Sequence, residues 1–146
     1  MAKFSVNGMD SLERSFAELA TLSDAERGRI LQAGAEIIKA AQVDYLNRHH
    51  RRTGALAESI QIKNDNTSAE IKPMGKKHKR SGGVRRAKHH GAAKSSTNAE
   101  VAYYLALGTP RMAATHWDEN ANEESADRTT QAMAAEWDQI LSEKGL

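Results

Sequence analysis

The stretch from Gly75 to Lys94, GKKHKRSGGVRRAKHHGAAK, contains no acidic residue and only one large apolar side chain, that of Val84. A segment of this composition cannot fold by burying apolar surface of its own. The packed part of the chain must therefore come from the segments on either side. We expect the stretch itself to be mobile in an isolated subunit and to become ordered only in an assembly.

Large apolar side chains are scarce in the rest of the chain as well. Leu, Ile, Val and Phe together make up 23 of the 146 residues, and alanine supplies much of the remaining hydrophobic fraction. Each buried alanine removes little apolar area from water. We therefore expect a thin core, to which partner molecules contribute further burial.

Charge is distributed unevenly along the chain. Nine Lys and Arg residues and no acid lie between Ile71 and Ala99, whereas eight acids and two bases lie between Asp118 and Leu146. This asymmetry indicates a charged partner, or copies of the chain that meet through unlike faces. Because the chain has no cysteine and no long apolar run, we expect no disulfide, no membrane span and folding in a cytoplasm.

The hydrophobic pattern predicts an α+β fold, with a small antiparallel sheet packed by a long central helix and a C-terminal helix, and with a long basic loop. We interpret residues 1–146 as a single domain in which residues 73–98 form a mobile basic arm. Near the N-terminus, Phe4–Val6 is expected to be a short strand, and the spacing of Met9, Leu12, Phe16 and Leu19 predicts an amphipathic helix.

A capping-box pattern at Ser23–Glu26 predicts the start of the central helix, which is expected to end near His49-His50,. Gly34 within it costs about 1 kcal/mol relative to alanine, which indicates close packing against another element. The predicted apolar face consists of Ile30, Ile37, Ile38, Ala41, Tyr45 and Leu46.

After Gly54, the alternation of Ile60 and Ile62 predicts a strand, and SAEIK is its expected partner across an NDNT turn,. The apolar segment Val101–Leu107 is compatible with either a strand or a short helix. A C-terminal helix is predicted from a cap at Asp118, and its expected apolar face consists of Ala126, Thr129, Met133, Trp137, Ile140 and Leu141. We expect Met133, Trp137 and Ile140 to anchor this helix to the central one.

Patterns that would support catalysis or metal binding are weak. Ser59 and Thr109 lack the sequence context of an activated nucleophile. The pairs His49-His50 and His89-His90 are adjacent in sequence, so their side chains diverge instead of converging on one ion. We therefore expect no enzymatic activity, no cofactor and no metal site.

The basic loop itself supports two interpretations. Its cations can neutralise phosphates and make binding depend steeply on salt, but it lacks the aromatic side chains that base stacking requires. Contact with a DNA backbone that is blind to sequence and docking on an acidic protein surface both remain open. The interacting side chains are expected to be Lys76, Lys77, Lys79, Arg80, Arg85, Arg86 and Lys88.

Three motifs, in order, resemble one known family. They are FSVNGMDSLERSFAEL, RRTGALAESI and VAYYLALGTPRMAATHW. The family is that of the tail-component proteins of long-tailed bacteriophages, which are also called neck, head–tail joining or tail-completion proteins. The residues that match its second and third motifs are Thr53, Gly54, Leu56, Ser59, Ile60, Tyr104, Gly108 and Thr109. The chain departs from the family at Ala106, where a glutamate is usual, and at His116-Trp117, where Pro-Phe is frequent.

The resemblance implies a structural virion protein that forms a ring, usually of six subunits, at the head–tail junction. Its expected neighbours are the portal-side connector and the tail-tube or tail-terminator proteins, and its assembly takes place in the host cytoplasm. Contact with the DNA backbone without sequence preference is a secondary expectation. The alternative from the residues alone is a small cytoplasmic nucleic-acid-associated protein that binds phosphates through the basic loop.

Independently of the resemblance, Gly54 and Gly108 are predicted to be backbone requirements at turns. Each lies where an apolar segment changes direction, and glycine tolerates a positive φ because it has no Cβ atom.

Overall fold

A computed structural model describes Ala17 and residues 21–50, 54–75 and 97–145. The predicted N-terminal strand and almost all of the helix after it lie outside these residues, as do Thr53 and the seven basic residues proposed as an interaction site. The described elements are α1 (Asp24–His49), α2 (Ala55–Glu58), β1 (Ile60–Asn64), β2 (Ala69–Pro73), α3 (Asn98–Leu107) and α4 (Trp117–Glu143).

The architecture is α+β, as the sequence predicts. The hairpin of β1 and β2 and the helix α2 pack on α1, α1 also packs along α4, and α3 closes the far end against α2, β2 and α4. Within the described residues no helix is both long enough and apolar enough to cross a bilayer.

The helix α1 begins at the predicted capping box. The Glu26 amide donates to the Ser23 Oγ at 3.3 Å, and the Ser23 amide donates to the Glu26 carboxylate at 2.8 Å. These two bonds satisfy amide groups that have no partner inside the helix. Its last helical residue is His49, as predicted, and its expected apolar face is buried or half-buried throughout.

The helices α1 and α4 are antiparallel. Arg29, near the start of α1, pairs with Glu136 and Glu143 near the end of α4, whereas Arg48, near the end of α1, pairs with Glu124 near the start of α4. Small side chains form much of the contact between them, because the buried residues include Gly34, Ala35 and Ala41 on α1 and Ala121 and Ser125 on α4. One part-buried polar contact crosses it, from Gln42 Nε2 to Asn122 Oδ1 at 2.9 Å.

The predicted hairpin forms with an antiparallel register that pairs Ile60 with Pro73 and Asn64 with Ala69. Its inward residues alternate with exposed ones along both strands. The tip is held by Asp65, whose Oδ1 accepts bonds from the amides of Thr67 and Ser68 at 2.9 and 2.6 Å. Asn64 Nδ2 donates to the Gly28 carbonyl of α1 at 2.7 Å, which fixes the hairpin on the helix.

The core is thin, as expected from the composition. A cluster of six buried residues gathers between the end of α1, α2, β1, α3 and the start of α4: Leu46, Ala57, Ile60, Ala102, Ala106 and Trp117. Of the large apolar side chains among the described residues, only those of Ile60 and Ile140 are fully buried.

Three expectations for α4 need correction. The helix starts at Trp117, after His116 in a left-handed conformation with φ 47°, so Asp118 is in its first turn and is not its cap. Ala126, predicted to be on the apolar face, is exposed because Ala121 and Ser125 occupy the inner side at that level. Ile140 is fully buried, but its expected fellow anchors Met133 and Trp137 are only half-buried.

Candidate interaction surface

The segment Val101–Leu107, compatible from its sequence with a strand or a helix, is helical. A second capping box starts α3: the Glu100 amide donates to the Thr97 Oγ1 at 3.2 Å, and the Thr97 amide donates to the Glu100 carboxylate at 2.8 Å. The Tyr104 carbonyl accepts the Gly108 amide at 2.9 Å, and Gly108 ends the helix with φ 79°.

The helix α3 buries its small side chains. Ala102 and Ala106 face the core, and Leu105 is half-buried beside them. The Ala102 carbonyl accepts a hydrogen bond from Trp117 Nε1 at 3.2 Å. Alanine at this position lets the α3 backbone approach the indole ring of Trp117 closely, because a larger side chain would hold the two elements apart.

The large apolar side chains of α3 point the other way. Tyr103 is 61% exposed, Leu107 54%, Tyr104 48% and Val101 37%. The rings of Tyr103 and Tyr104 meet edge to face, with centroids 5.9 Å apart. We refer to Val101, Tyr103, Tyr104 and Leu107 as the α3 apolar face. A surface helix ordinarily turns its apolar stripe to the core, so this inverted arrangement marks a surface that suits a partner.

Exposed methionines flank the α3 apolar face at both ends. Met112 follows the helix, in a short turn where the Thr109 amide donates to the Met112 carbonyl at 2.8 Å and the Met112 amide donates back to Thr109 at 3.0 Å. Met74 lies at the end of β2, where its amide donates to the Ser59 carbonyl at 2.7 Å. Methionine adapts its shape to a binding partner because its side chain is unbranched and polarisable.

The turn that follows α3 is tied to the helix by several bonds. Thr115 Oγ1 donates to the Leu105 carbonyl at 2.6 Å, and the His116 amide donates to the Ala106 carbonyl at 3.1 Å. These bonds connect α3 directly to the start of α4. The α3 apolar face is therefore held on a fixed support.

The outer side of α4 carries a line of exposed acids. Glu119, Glu123 and Asp127 recur at four-residue steps, which places them along one side of the helix,. We refer to these three residues as the α4 acidic ridge. Among the described residues, Glu123 and Asp127 have no cationic partner, and Glu119 is 3.3 Å from the Nδ1 of His116.

The described part of the chain is acidic as a whole. It contains nine Lys and Arg residues and 16 Asp and Glu residues, whereas residues 76–96 contain eight Lys and Arg residues and no acid. Both ends of that basic segment join the described part beside the start of α3, because a Cβ atom at Gly75 would lie 3.4 Å from the Nδ2 of Asn98. The basic segment is thus attached next to the α3 apolar face.

The residues of the second family motif occupy structural positions around α2. Gly54 precedes α2 with φ 77°, which confirms the predicted positive φ. Leu56 is half-buried, and Ser59 is buried with its Oγ donating to the Leu56 carbonyl at 2.7 Å. A hydroxyl that is engaged in this way supports the turn into β1 and is not positioned as a nucleophile.

The residues of the third motif build the α3 apolar face and the turn beyond it. Gly108 has the predicted positive φ, and Ala114 N and Met112 O approach it so closely that a Cβ atom would lie 2.6 and 2.7 Å from them. Thr109 forms the bridge to Met112, and Tyr104 lies on the α3 apolar face. Val101, Leu107 and Met112 were not predicted to be site residues. Only the side of α3 that faces the core distinguishes them from ordinary core residues.

The histidines of the described chain occupy separate local settings. The His49 ring lies 4.5 Å from that of Tyr45, and the pKa of His50 is lowered by burial and by the nearby His49. No group of three His, Cys, Asp or Glu residues suited to a metal ion occurs in the ranges that the structure covers. A groove of about 590 Å³ between α1 and the hairpin is lined by Gln32, Glu36, Lys39, Ala40, Val43, Gln61 and Ile62, a set without a nucleophile paired with a base.

Comparison with known proteins finds no family model that matches the chain, and no curated protein or solved structure that is significantly similar to it. Functional inference therefore rests on the motifs of the sequence and on the two surfaces just described.

Proposed function

We propose that this chain is a structural subunit of a homo-oligomeric ring at the head–tail junction of a tailed bacteriophage, where it joins the portal-side connector to the tail tube. The observation that carries the proposal is the α3 apolar face, in which a short helix buries its alanines and exposes two tyrosines, a leucine and a valine. Exposed aromatic groups of this kind are typical of the centres of protein interfaces.

The thin core supports the same proposal. A subunit in which only two large apolar side chains among the described residues are fully buried gains further stability when a neighbour covers its exposed apolar side chains. Binding of a partner to the folded state alone stabilises that state by mass action. An assembly subunit meets this requirement, because it functions only in contact with its neighbours.

The placement of the family motifs adds a second line of support. The motif TGALAESI provides the turn, α2 and the start of β1, and the motif VAYYLALGT provides α3 and the bend after it. The motifs on which the resemblance to the tail-component proteins depends therefore form the exposed α3 apolar face and its support. In this proposal the protein is found in the virion and is not an enzyme.

Nucleic-acid binding by the chain is the competing function. The described residues carry an excess of acids, so phosphate contact would rest on the basic segment 76–96 alone. Backbone contact of this kind loses affinity steeply as salt increases. The proposal places the main contacts of the protein with other proteins and leaves DNA contact secondary.

The test uses a phage in which the gene for this chain is deleted. We expect it to accumulate filled heads and separate tails, and we expect the purified protein to restore joining when it is added to a mixture of the two. Electron microscopy of restored particles should show the protein as a ring at the junction. The proposal is wrong if particles form normally without the protein, or if the protein is absent from purified particles and binds duplex DNA with a strong dependence on salt.

A further inference from the structure

We infer that the α3 apolar face of one subunit docks on the α4 acidic ridge of the next copy, head to tail. This inference deepens the proposed function and rests on it, because it assigns the contact between subunits of the ring. The occupant of the apolar face is therefore a second copy of this chain.

Area shows what the α3 apolar face can and cannot supply. Two tyrosines of about 200 Å² each, roughly half exposed, present about 200 Å² together, and the flanking leucine, valine and methionines add a comparable amount. A stable interface buries about 800 Å² on each partner. The face can thus form the centre of an interface, and a polar, charged rim has to supply the remainder.

Charge identifies the surface that provides this rim. Cations lie at both ends of the α3 apolar face: the basic segment 76–96 is attached at its start, and Arg111 is exposed next to Met112 at its end. Contact between two such faces would bring like charges together. The α4 acidic ridge presents the opposite charge, and its carboxylates can accept hydrogen bonds from the tyrosine hydroxyls.

The dimensions of the two surfaces agree. The ridge runs over eight helical steps from Glu119 to Asp127, which is about 12 Å at 1.5 Å per residue. The helix α3 has ten residues and is about 15 Å long on the same basis,. Exposed Ala126 and Ala134 lie near the ridge, and small side chains there allow a neighbouring helix to approach.

The two surfaces cannot meet within one chain. The helix α3 contacts α4 on the side of Trp117, whereas Glu119 is two residues further on and so is rotated by about 200° around the helix,. A contact that joins two different surfaces of identical subunits is heterologous, and such contacts close into rings or extend into filaments. The geometry therefore points to a ring of copies related by rotation and not to a twofold dimer.

The test uses three variants and sedimentation velocity. Tyr103→Ser/Tyr104→Ser alters the apolar face and Glu123→Lys/Asp127→Lys alters the ridge; both act at exposed positions, and circular dichroism checks that they remain folded. Glu36→Gln removes an exposed acid on α1 as the matched control. We expect wild type and the control to form oligomers, and each double variant to be monomeric, with at least a tenfold rise in the dissociation constant.

Mixing the two double variants is the decisive step. Each supplies the surface that the other has lost, so a mixture should form one intact contact and yield a heterodimer that cannot grow further. The inference is overturned if wild type remains monomeric at about 100 µM, if either double variant assembles like wild type, or if the mixture forms no heterodimer. These outcomes concern contact between copies only; a protein that assembles in this way but is absent from particles would refute the head–tail function and leave the contact standing.

Discussion

Gly34 of α1 lies directly against Met133 of α4, so closely that a Cβ atom at position 34 would lie 2.7 Å from the Met133 Sδ and 2.8 Å from its Cγ. The close packing predicted from a glycine inside the central helix is confirmed, and Met133 is the side chain it accommodates. Because Met133 is unbranched and half-buried, its thioether can turn towards solvent when the space is filled.

Substitutions at Gly34 should therefore separate a small side chain from a large one. In Gly34→Ala, the gain of about 1 kcal/mol in helix propensity offsets the displacement of Met133, so the free energy of unfolding should change by less than about 1 kcal/mol. Gly34→Leu cannot be accommodated by moving one flexible group, and it should cost about 1–3 kcal/mol as overpacking. Urea denaturation of both variants measures the difference; equal and large losses would show that Met133 cannot move.

The two turn glycines should respond differently to alanine. At Gly54, where φ is 77° and the nearest group is the Glu58 carboxylate 3.7 Å away, the cost is that of a left-handed alanine, about 1–2 kcal/mol. At Gly108, with φ 79° and ψ 179°, a methyl group also meets backbone atoms at 2.6 and 2.7 Å. Gly108→Ala should therefore destabilise by more than Gly54→Ala in the same urea titration, and equal effects would contradict this account.

The two tryptophans should differ in their contribution to stability. Trp117 is buried and donates its indole N–H to the Ala102 carbonyl, so Trp117→Ala should cost about 3–5 kcal/mol. Trp117→Phe retains most of the apolar volume and loses the hydrogen bond, worth about 1 kcal/mol. Trp137 is half-buried, so its truncation should cost less than that of Trp117. Thermal unfolding of the three variants ranks them, and a larger loss at Trp137 would reverse the assignment.

The ion pair between Arg29 and Glu143 should make stability depend on pH at the acid end. The Arg29 guanidinium lies 2.8 Å from the Glu143 Oε2. Together with a bond from Gln139, it lowers the pKa of Glu143 from its ordinary value of 4.5 to about 2. Because the unfolded chain binds the proton first, the contribution is fully present above about pH 4.5 and is lost as the pH falls towards 2.

We therefore expect Glu143→Gln to lower the midpoint of thermal unfolding slightly at pH 7 and to match wild type near pH 2. The effect should shrink in high salt, because the pair is exposed to solvent. Asp138→Asn, on the same helix, serves as the control for removing one negative charge. A difference from wild type that is unchanged between pH 7 and pH 2 would mean that the ion pair is not its source.

The basic segment provides a prediction about assembly. Replacing Lys76, Lys77, Lys79, Arg80, Arg85 and Arg86 with Ser or Gln should leave the chain folded, because such a segment contributes no apolar burial, and should impair the joining of heads to tails. Joining by the wild-type protein should also weaken as salt screens the contacts. A variant that joins heads and tails normally would show that these cations are only a solvated part of the surface.

Elements whose signals are local could be predicted from the order of the residues. The capping box at Ser23–Glu26, the hairpin around Asp65 and the positive φ at Gly54 and Gly108 each depend on residues adjacent in sequence. The composition also indicated a core made largely of alanine, since the available side chains limit what can be buried.

The buried side of a segment, in contrast, depends on contacts between distant parts of the chain. In Val101–Leu107 nearly every residue is apolar, so no periodicity identifies an inner face, and Trp117 selects the alanines because they allow its ring to approach. The start of α4 was set in the same way: bonds from Thr115 and His116 to carbonyls of α3 place it at Trp117 and override the capping preference of Asp118. Contacts distant in sequence thus turned the tyrosines outwards, because a thin core has room for small side chains and not for large ones.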